Sequence, residues 1–256
     1  MDEEKSQTPQ RQTQHKGFLE ELLGDVFNLD RGLPGTIWGM IKTPGQVVEA
    51  YFTDRSKYVT PLRYCIFILA VTTFITVRFI DYDAMMTNAM EMGSGASIDD
   101  LIAQLNQIVP DFDWVVYFQN LNEITISLVQ KFNQALYLVL LAPMFALFTR
   151  MFFKKKKNRF IEHYVLMVYS LTTFSIFSLA LIPAMKMMET AETPLLFFST
   201  IPVMLGFLLW AMIKYLGLKG FSEYLQGVIA LVLGYILYSI IQTILLYIGA
   251  YIMTVV

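Results

Sequence analysis

The chain has little of what a soluble enzyme is built from. Only 16% of its 256 residues are charged, whereas a typical soluble domain has roughly 25%. A single cysteine, Cys65, excludes an internal disulfide framework and any Cys-x-x-Cys metal knuckle. Two histidines, His15 and His163, lie far apart in sequence, and no His-Glu-x-x-His, Gly-x-Ser-x-Gly or phosphate-loop signature is present. The sequence therefore offers no catalytic, cofactor-binding or metal-binding residue, and the expectation is a protein that is not an enzyme. Lysine and arginine total 19 against 21 aspartate and glutamate, so there is no basic excess that would suit nucleic acid.

What is present is apolar. Hydrophobic residues make up 55% of the chain, and the mean hydropathy is +0.51. A spanning helix needs about 20 mostly apolar residues to cross ~30 Å of hydrocarbon. Five stretches meet that requirement: 62–80, 132–153, 164–182, 194–216 and 227–253. The expected fold is an all-α transmembrane bundle of about five spans over residues 62–256. Pro143 and Pro202 interrupt two of the spans. The last is long enough to predict tilt or a bend, with Gly234 one place for it.

Charge sorting predicts orientation. Arg150, Lys154, Lys155, Lys156, Lys157 and Arg159 crowd the loop after the second apolar stretch. Placing that loop in the cytoplasm puts 16 of 19 lysines and arginines inside. The N-terminus is then inside and the C-terminus outside. The loop at about 81–131 carries eight carboxylates and is expected outside, as a small helical cap. Its helix is read from Ser97 to Pro110. Phe112, Trp114, Tyr117 and Phe118 are read as an aromatic anchor at the outer interface.

Residues 1–16 are polar and read as a disordered tail, with no apolar stretch of the kind a secretory signal needs. Residues 17–61 read as cytoplasmic amphipathic or interfacial helices. Phe18, Leu19, Leu22, Leu23, Val26 and Phe27 recur at helical spacing opposite Glu20, Glu21 and Asp25. That acidic face favours packing on protein over attraction to anionic lipid. Residues 28–36 read as a helix stop and turn. Thr43-Pro44 starts a further short helix. Trp38, Arg55, Lys57 and Tyr58, with the run Lys154–Lys157 and Arg159, are candidate contacts to lipid and the membrane interface. The partners expected are membrane lipids, anionic at the cytoplasmic face.

Trp38, Ile41, Val48, Tyr51 and Phe52 are too apolar to stay in water over so short a segment. Residues 28–61 are therefore expected to form an ordered collar on the inner span ends. Asp30 and Arg31 are candidates to fix its turn, and Gly32, Gly35 and Gly45 to allow sharp bends.

The order Asn28-Leu29-Asp30-Arg31-Gly32, Thr36, Pro44-Gly45, Tyr51, then Arg55-x-x-Tyr58-x-x-Pro61 resembles bacterial membrane proteins of domain-of-unknown-function family 3667. Members often carry an N-terminal cysteine knuckle, which this chain lacks, and a glycine where Asp54 stands. A short helix feeding five spans more loosely resembles the Yip1-like superfamily. The resemblance implies a multi-pass protein of the bacterial inner membrane and brings no activity with it.

Two functions fit. The first is a non-enzymatic scaffold or accessory in membrane or envelope organisation. The alternative is a small transporter or channel subunit, with a cavity near Pro143, Pro202, Tyr238 and Gln242. No apolar stretch carries an ionisable residue near its centre, which speaks against proton coupling.

Overall fold

The computed structural model describes residues 29–81, 98–127, 136–180, 182–183 and 195–255, with only the backbone given for residues 29–31, 98–99, 137–138 and 195–199. The polar tail, the amphipathic segment at 17–27 and the candidate cap Ser97 lie outside the described residues. Those described form helices and connections, and no strand occurs among them.

Two short helices open the structure, α1 (Leu29–Lys42) and α2 (Pro44–Thr53). Next comes α3 (Pro61–Phe79). Pro44 and Pro61 each sit at the first helical position, where no backbone N–H is needed. Beyond α3 lie α4 (Ile98–Ile108) and α5 (Trp114–Ser127). A π-helical turn, Tyr137–Leu141, leads into α6 (Ala142–Phe153). The remaining helices are α7 (Phe160–Leu179), α8 (Leu195–Leu216) and α9 (Phe221–Val255).

The turn expected at 28–36 is instead helix from Leu29 onward. α1 runs through it because Pro34 is exposed and near the start, where its missing N–H forfeits one bond, to the Asp30 carbonyl. Gly32 is not a bend either. A Cβ there would stand 3.1 Å from the Val59 side chain, so the glycine serves close packing. Gly45 does the same more tightly, 2.7 Å from the Lys214 carbonyl oxygen. Thr43 precedes α2 as expected, but its side chain makes no capping hydrogen bond.

Among the described residues, three helices are long and apolar enough to cross a membrane: α3, α7 and the 35-residue α9. α6 and the 22-residue α8 are apolar as well, over Val139–Phe153 and Thr200–Leu216. Pro143 disturbs its helix as expected, in the form of the π-helical turn just before it. Widening the turn relieves the clash of the ring with the preceding carbonyls. α9 stays helical through Gly234. That residue admits Phe145 of α6, whose ring atom would lie 2.6 Å from a Cβ.

The core gathers on α7, which packs on α1, α2, α3, α6 and α8. His163 and every residue from Val165 to Phe174 are buried. Such burial on all sides suits a helix apolar around its whole circumference. α9 lies outside, against α6, α8 and α5. It meets them through small residues, including Gly227, Ala230 and Gly234. Its other faces, and those of α3, carry exposed apolar side chains; Phe74 of α3 is 75% exposed.

Candidate functional site: a basic collar at one end of the bundle

The chain between α1 and α3 is fastened to α7 by hydroxyls. Thr36 is fully buried; its Oγ1 donates to the Gly32 carbonyl at 2.7 Å and accepts from the Val59 N–H at 3.0 Å. The Tyr169 hydroxyl of α7 donates to the Val59 carbonyl at 2.6 Å. Both backbone groups of Val59 are thus satisfied by side chains from two other elements, as a buried irregular segment requires. Beside them the Tyr64 and Thr173 hydroxyls share a hydrogen bond of 2.9 Å, tying α3 to α7.

The basic loop between α6 and α7 closes over this end. Lys157 Nζ lies 2.9 Å from Glu49 of α2, 3.8 Å from Glu162, and 5.1 Å above the Tyr215 ring of α8. Lys156 Nζ donates to Glu223 Oε2 at 2.9 Å and to the Gly217 carbonyl at 3.0 Å. Gly217 ends α8 at φ +61°, and the Leu218 N–H returns to the Ile213 carbonyl at 3.2 Å, so a glycine suits this left-handed stop. The Glu162 carboxylate accepts from the Arg159 N–H at 3.1 Å and caps α7. Arg150 Nε donates to the Asn158 carbonyl at 2.8 Å. Beneath the loop His163 is fully buried; its Nε2 lies 3.0 Å from the Lys157 carbonyl, and its Nδ1 has no hydrogen-bond partner among the described residues.

The basic run therefore divides. Lys156 and Lys157 are used inside the protein, whereas Lys154, Lys155 and Arg159 are exposed. Arg55 holds its guanidinium 4.8 Å over the Tyr51 ring, and its Nε donates to the Tyr51 carbonyl at 3.1 Å. Lys57 lies 5.5 Å over Tyr58, itself half-buried against the core. Lys42 lies 4.5 Å over Trp38. The Ser56 hydroxyl and N–H hold the exposed Asp54 carboxyl below its usual range.

Of the apolar collar residues, Val48 is buried and Ile41, Tyr51 and Phe52 are half-buried. Trp38 is 58% exposed and faces away from the core, because Gly39 and Met40 occupy the inward side of α1. The side chains of Asp30 and Arg31 lie outside the described residues. The sequence marks Thr36 only as a position of the family pattern, and it does not single out Glu49, Val59, Tyr169 or Glu223. No spacing signal marks Tyr169, whose partner is distant in sequence. Glu223 could have been suspected as an acid in the first turn of a helix.

Of the residues expected around a cavity, Pro143 lies on α6, Pro202 on α8, and Tyr238 and Gln242 on α9. Pro143 begins α6 beside Phe145, which meets α9 at Gly234. Tyr238 follows one turn later, half-buried, its ring 6.2 Å from that of Tyr235, and Gln242 is half-buried beyond it. Pro202 is exposed on α8. Just before α5, the Phe112 ring lies 4.6 Å from Trp114 and stacks at 5.9 Å on Tyr251 of α9; Asn120 Nδ2 of α5 donates to Thr254 Oγ1 at 3.1 Å.

No family model, no curated protein and no solved structure matches the chain.

Proposed function

We propose that the protein is a five-span protein of the bacterial inner membrane, with its collar and N-terminus in the cytoplasm and its C-terminus outside. In this reading it is a non-enzymatic scaffold or accessory in membrane or envelope organisation, consistent with the family resemblance of residues 28–61. One observation carries the proposal. At the collar end each described carboxylate has a partner within the protein: Glu49 and Glu162 with Lys157, Asp54 with Ser56, Glu223 with Lys156. Besides the exposed Asp54, whose partner Ser56 is neutral, the charges left outward there are cations: Lys42, Arg55, Lys57, Lys154, Lys155, Arg159, Lys214 and Lys219. A positive rim around apolar helices suits the anionic cytoplasmic leaflet, at about 1 kcal/mol per residue. The 22-residue α8, and the shorter α6 with its flanking residues, complete the five spans.

The test is labelling from each side of the membrane. Cysteines placed at Lys155 and Ser94 should react from opposite sides, with the buried Cys65 silent. Reaction of both from one side would sink the five-span reading. The π-helical turn before Pro143, which packs against α9, favours the second reading, a transporter or channel subunit, because such turns often mark functional positions.

A further inference from the structure

α4 carries an apolar stripe that the described residues leave partly uncovered. Leu101, Ile102, Leu105, Ile108 and Val109 fall within about a third of its circumference, at ~100° per residue. Ile102 and Leu105 are half-buried, and α4 packs on α5. At the other edge of the stripe Leu101 is 43% and Ile108 74% exposed. Ala103 and Gln107 occupy the opposite side of the helix.

The level of this stripe follows from α9. Glu223 is the last charged residue of α9, and its ion pair with Lys156 places it in the basic collar. Tyr251 stands 28 residues further along, ~42 Å as straight helix, which matches the ~40–45 Å of a bilayer with its headgroups. The Phe112 ring stacks on Tyr251, and Trp114 lies 4.6 Å from Phe112. The Trp114 indole N–H donates to the Val109 carbonyl at 3.2 Å. These contacts hold the C-terminal end of α4 at the level of the far headgroups, where rings with a polar edge are favoured.

We propose that α4 lies along the membrane surface opposite the collar, with Leu101, Leu105 and Ile108 sunk into the boundary between the headgroups and acyl chains of neutral phospholipid. The proposal rests on the membrane reading, but not on which side is cytoplasmic. Two observations select this occupant. The first is position, since a stripe held at headgroup level meets acyl chains on its membrane side. The second is charge. Residues 98–127 contain five carboxylates, Asp99, Asp100, Asp111, Asp113 and Glu123, and no lysine or arginine. A second copy docked through this region would bring like charges together, and anionic headgroups would be repelled. Neutral phospholipid meets neither objection. Binding then rests on apolar area alone, and attachment to α5 keeps the stripe at the surface, so a modest intrinsic affinity suffices.

The experiment attaches the fluorophore NBD to the full chain through Leu101→Cys, Ile108→Cys, Ala103→Cys or Gln107→Cys, one at a time, the native Cys65 being buried. The protein is held in phosphatidylcholine nanodiscs, with and without lipid carrying a nitroxide near the top of its acyl chains. Phe74→Cys on α3, where the side chain is exposed and apolar, serves as the reference for lipid contact. Nitroxide should quench the labels at 101 and 108 about threefold more than those at 103 and 107. Substituting phosphatidylglycerol for part of the lipid should not increase that quenching. If position 74 is quenched while 101 and 108 are not, α4 stands off the membrane; the proposal is then wrong and the membrane reading survives. If position 74 escapes as well, the membrane reading fails and takes the proposal with it. Equal quenching on both sides of α4, or stronger quenching with phosphatidylglycerol, would also overturn it. The four α4 positions are exposed, so the outcome does not turn on a folding defect.

Discussion

The Tyr169 hydroxyl lies 2.6 Å from the Val59 carbonyl oxygen, a hydrogen bond between residues 110 positions apart in sequence. It joins the middle of α7 to an irregular segment that neither helix periodicity nor turn chemistry marks. Removing the donor leaves a buried carbonyl unsatisfied, at about 1–3 kcal/mol. Tyr169→Phe should therefore lower the detergent melting temperature without altering helix content, as read by far-ultraviolet circular dichroism. Thr36→Val removes the acceptor for the Val59 N–H and should act in the same direction. The double variant should lose less than the sum of the two, since both bonds hold the same residue.

The collar contacts predict an asymmetry along α1. Met40 is fully buried, so Met40→Ala should cost about 2–5 kcal/mol. Trp38→Ala removes an outward ring and should cost under about 0.5 kcal/mol in detergent. Thermal melts of the two variants under one set of conditions decide it; equal losses would mean that Trp38 is part of the packed core after all.

Two glycines separate close packing from open space. Gly45→Ala drives a Cβ to 2.7 Å from the Lys214 carbonyl oxygen, a backbone atom that cannot swing aside. Separation of α2 from α8 should follow, seen as faster proteolysis near Thr53. Gly35→Ala meets nothing and should raise stability by about 0.4–1 kcal/mol through the unfolded chain.

The four consecutive lysines should divide by function. Lys156→Gln with Lys157→Gln breaks the pairs to Glu223 and Glu49, each partly exposed and worth about 0–1 kcal/mol. The expected result is a small, salt-dependent loss of melting temperature. Lys154→Gln with Lys155→Gln should leave melting unchanged and reduce copurified anionic lipid, measured by mass spectrometry. If the two double variants behave alike, the division is wrong.

Much of the helical layout was legible because it rests on one local quantity, the length of an apolar run. Every apolar stretch but the second coincides with a helix to within a few residues at its start, apart from the last, which begins six residues earlier at Phe221. The second was read too simply, since Pro143 gives a π-helical turn that hydropathy does not register. Hydropathy also cannot rank the helices, and nothing in composition marks α7 as the centre and α9 as the periphery. The collar was foreseen as packed, but its glycines were assigned to bends when two of them admit a neighbour's atoms. A glycine signals both uses alike, and only the partner, Val59 for Gly32 or Lys214 for Gly45, distinguishes them. The lysine run was legible as charge but not as bonding, because Glu49 and Glu223 lie 108 and 67 residues from the lysines they meet.

The central place of α7 has a consequence for how the chain is made. The Val59 carbonyl and the Tyr64 hydroxyl find their partners at Tyr169 and Thr173, separations of 110 and 109 residues. At synthesis rates of about 5–20 residues per second, α1 to α3 wait ~5–20 s for the helix that completes them. During that interval the Val59 carbonyl and the Tyr64 hydroxyl lack their final partners, and the inward faces of α1 and α3 have nothing from α7 to pack on. The first third of this protein is, for those seconds, a natural client for whatever shields unfinished helices beside the ribosome.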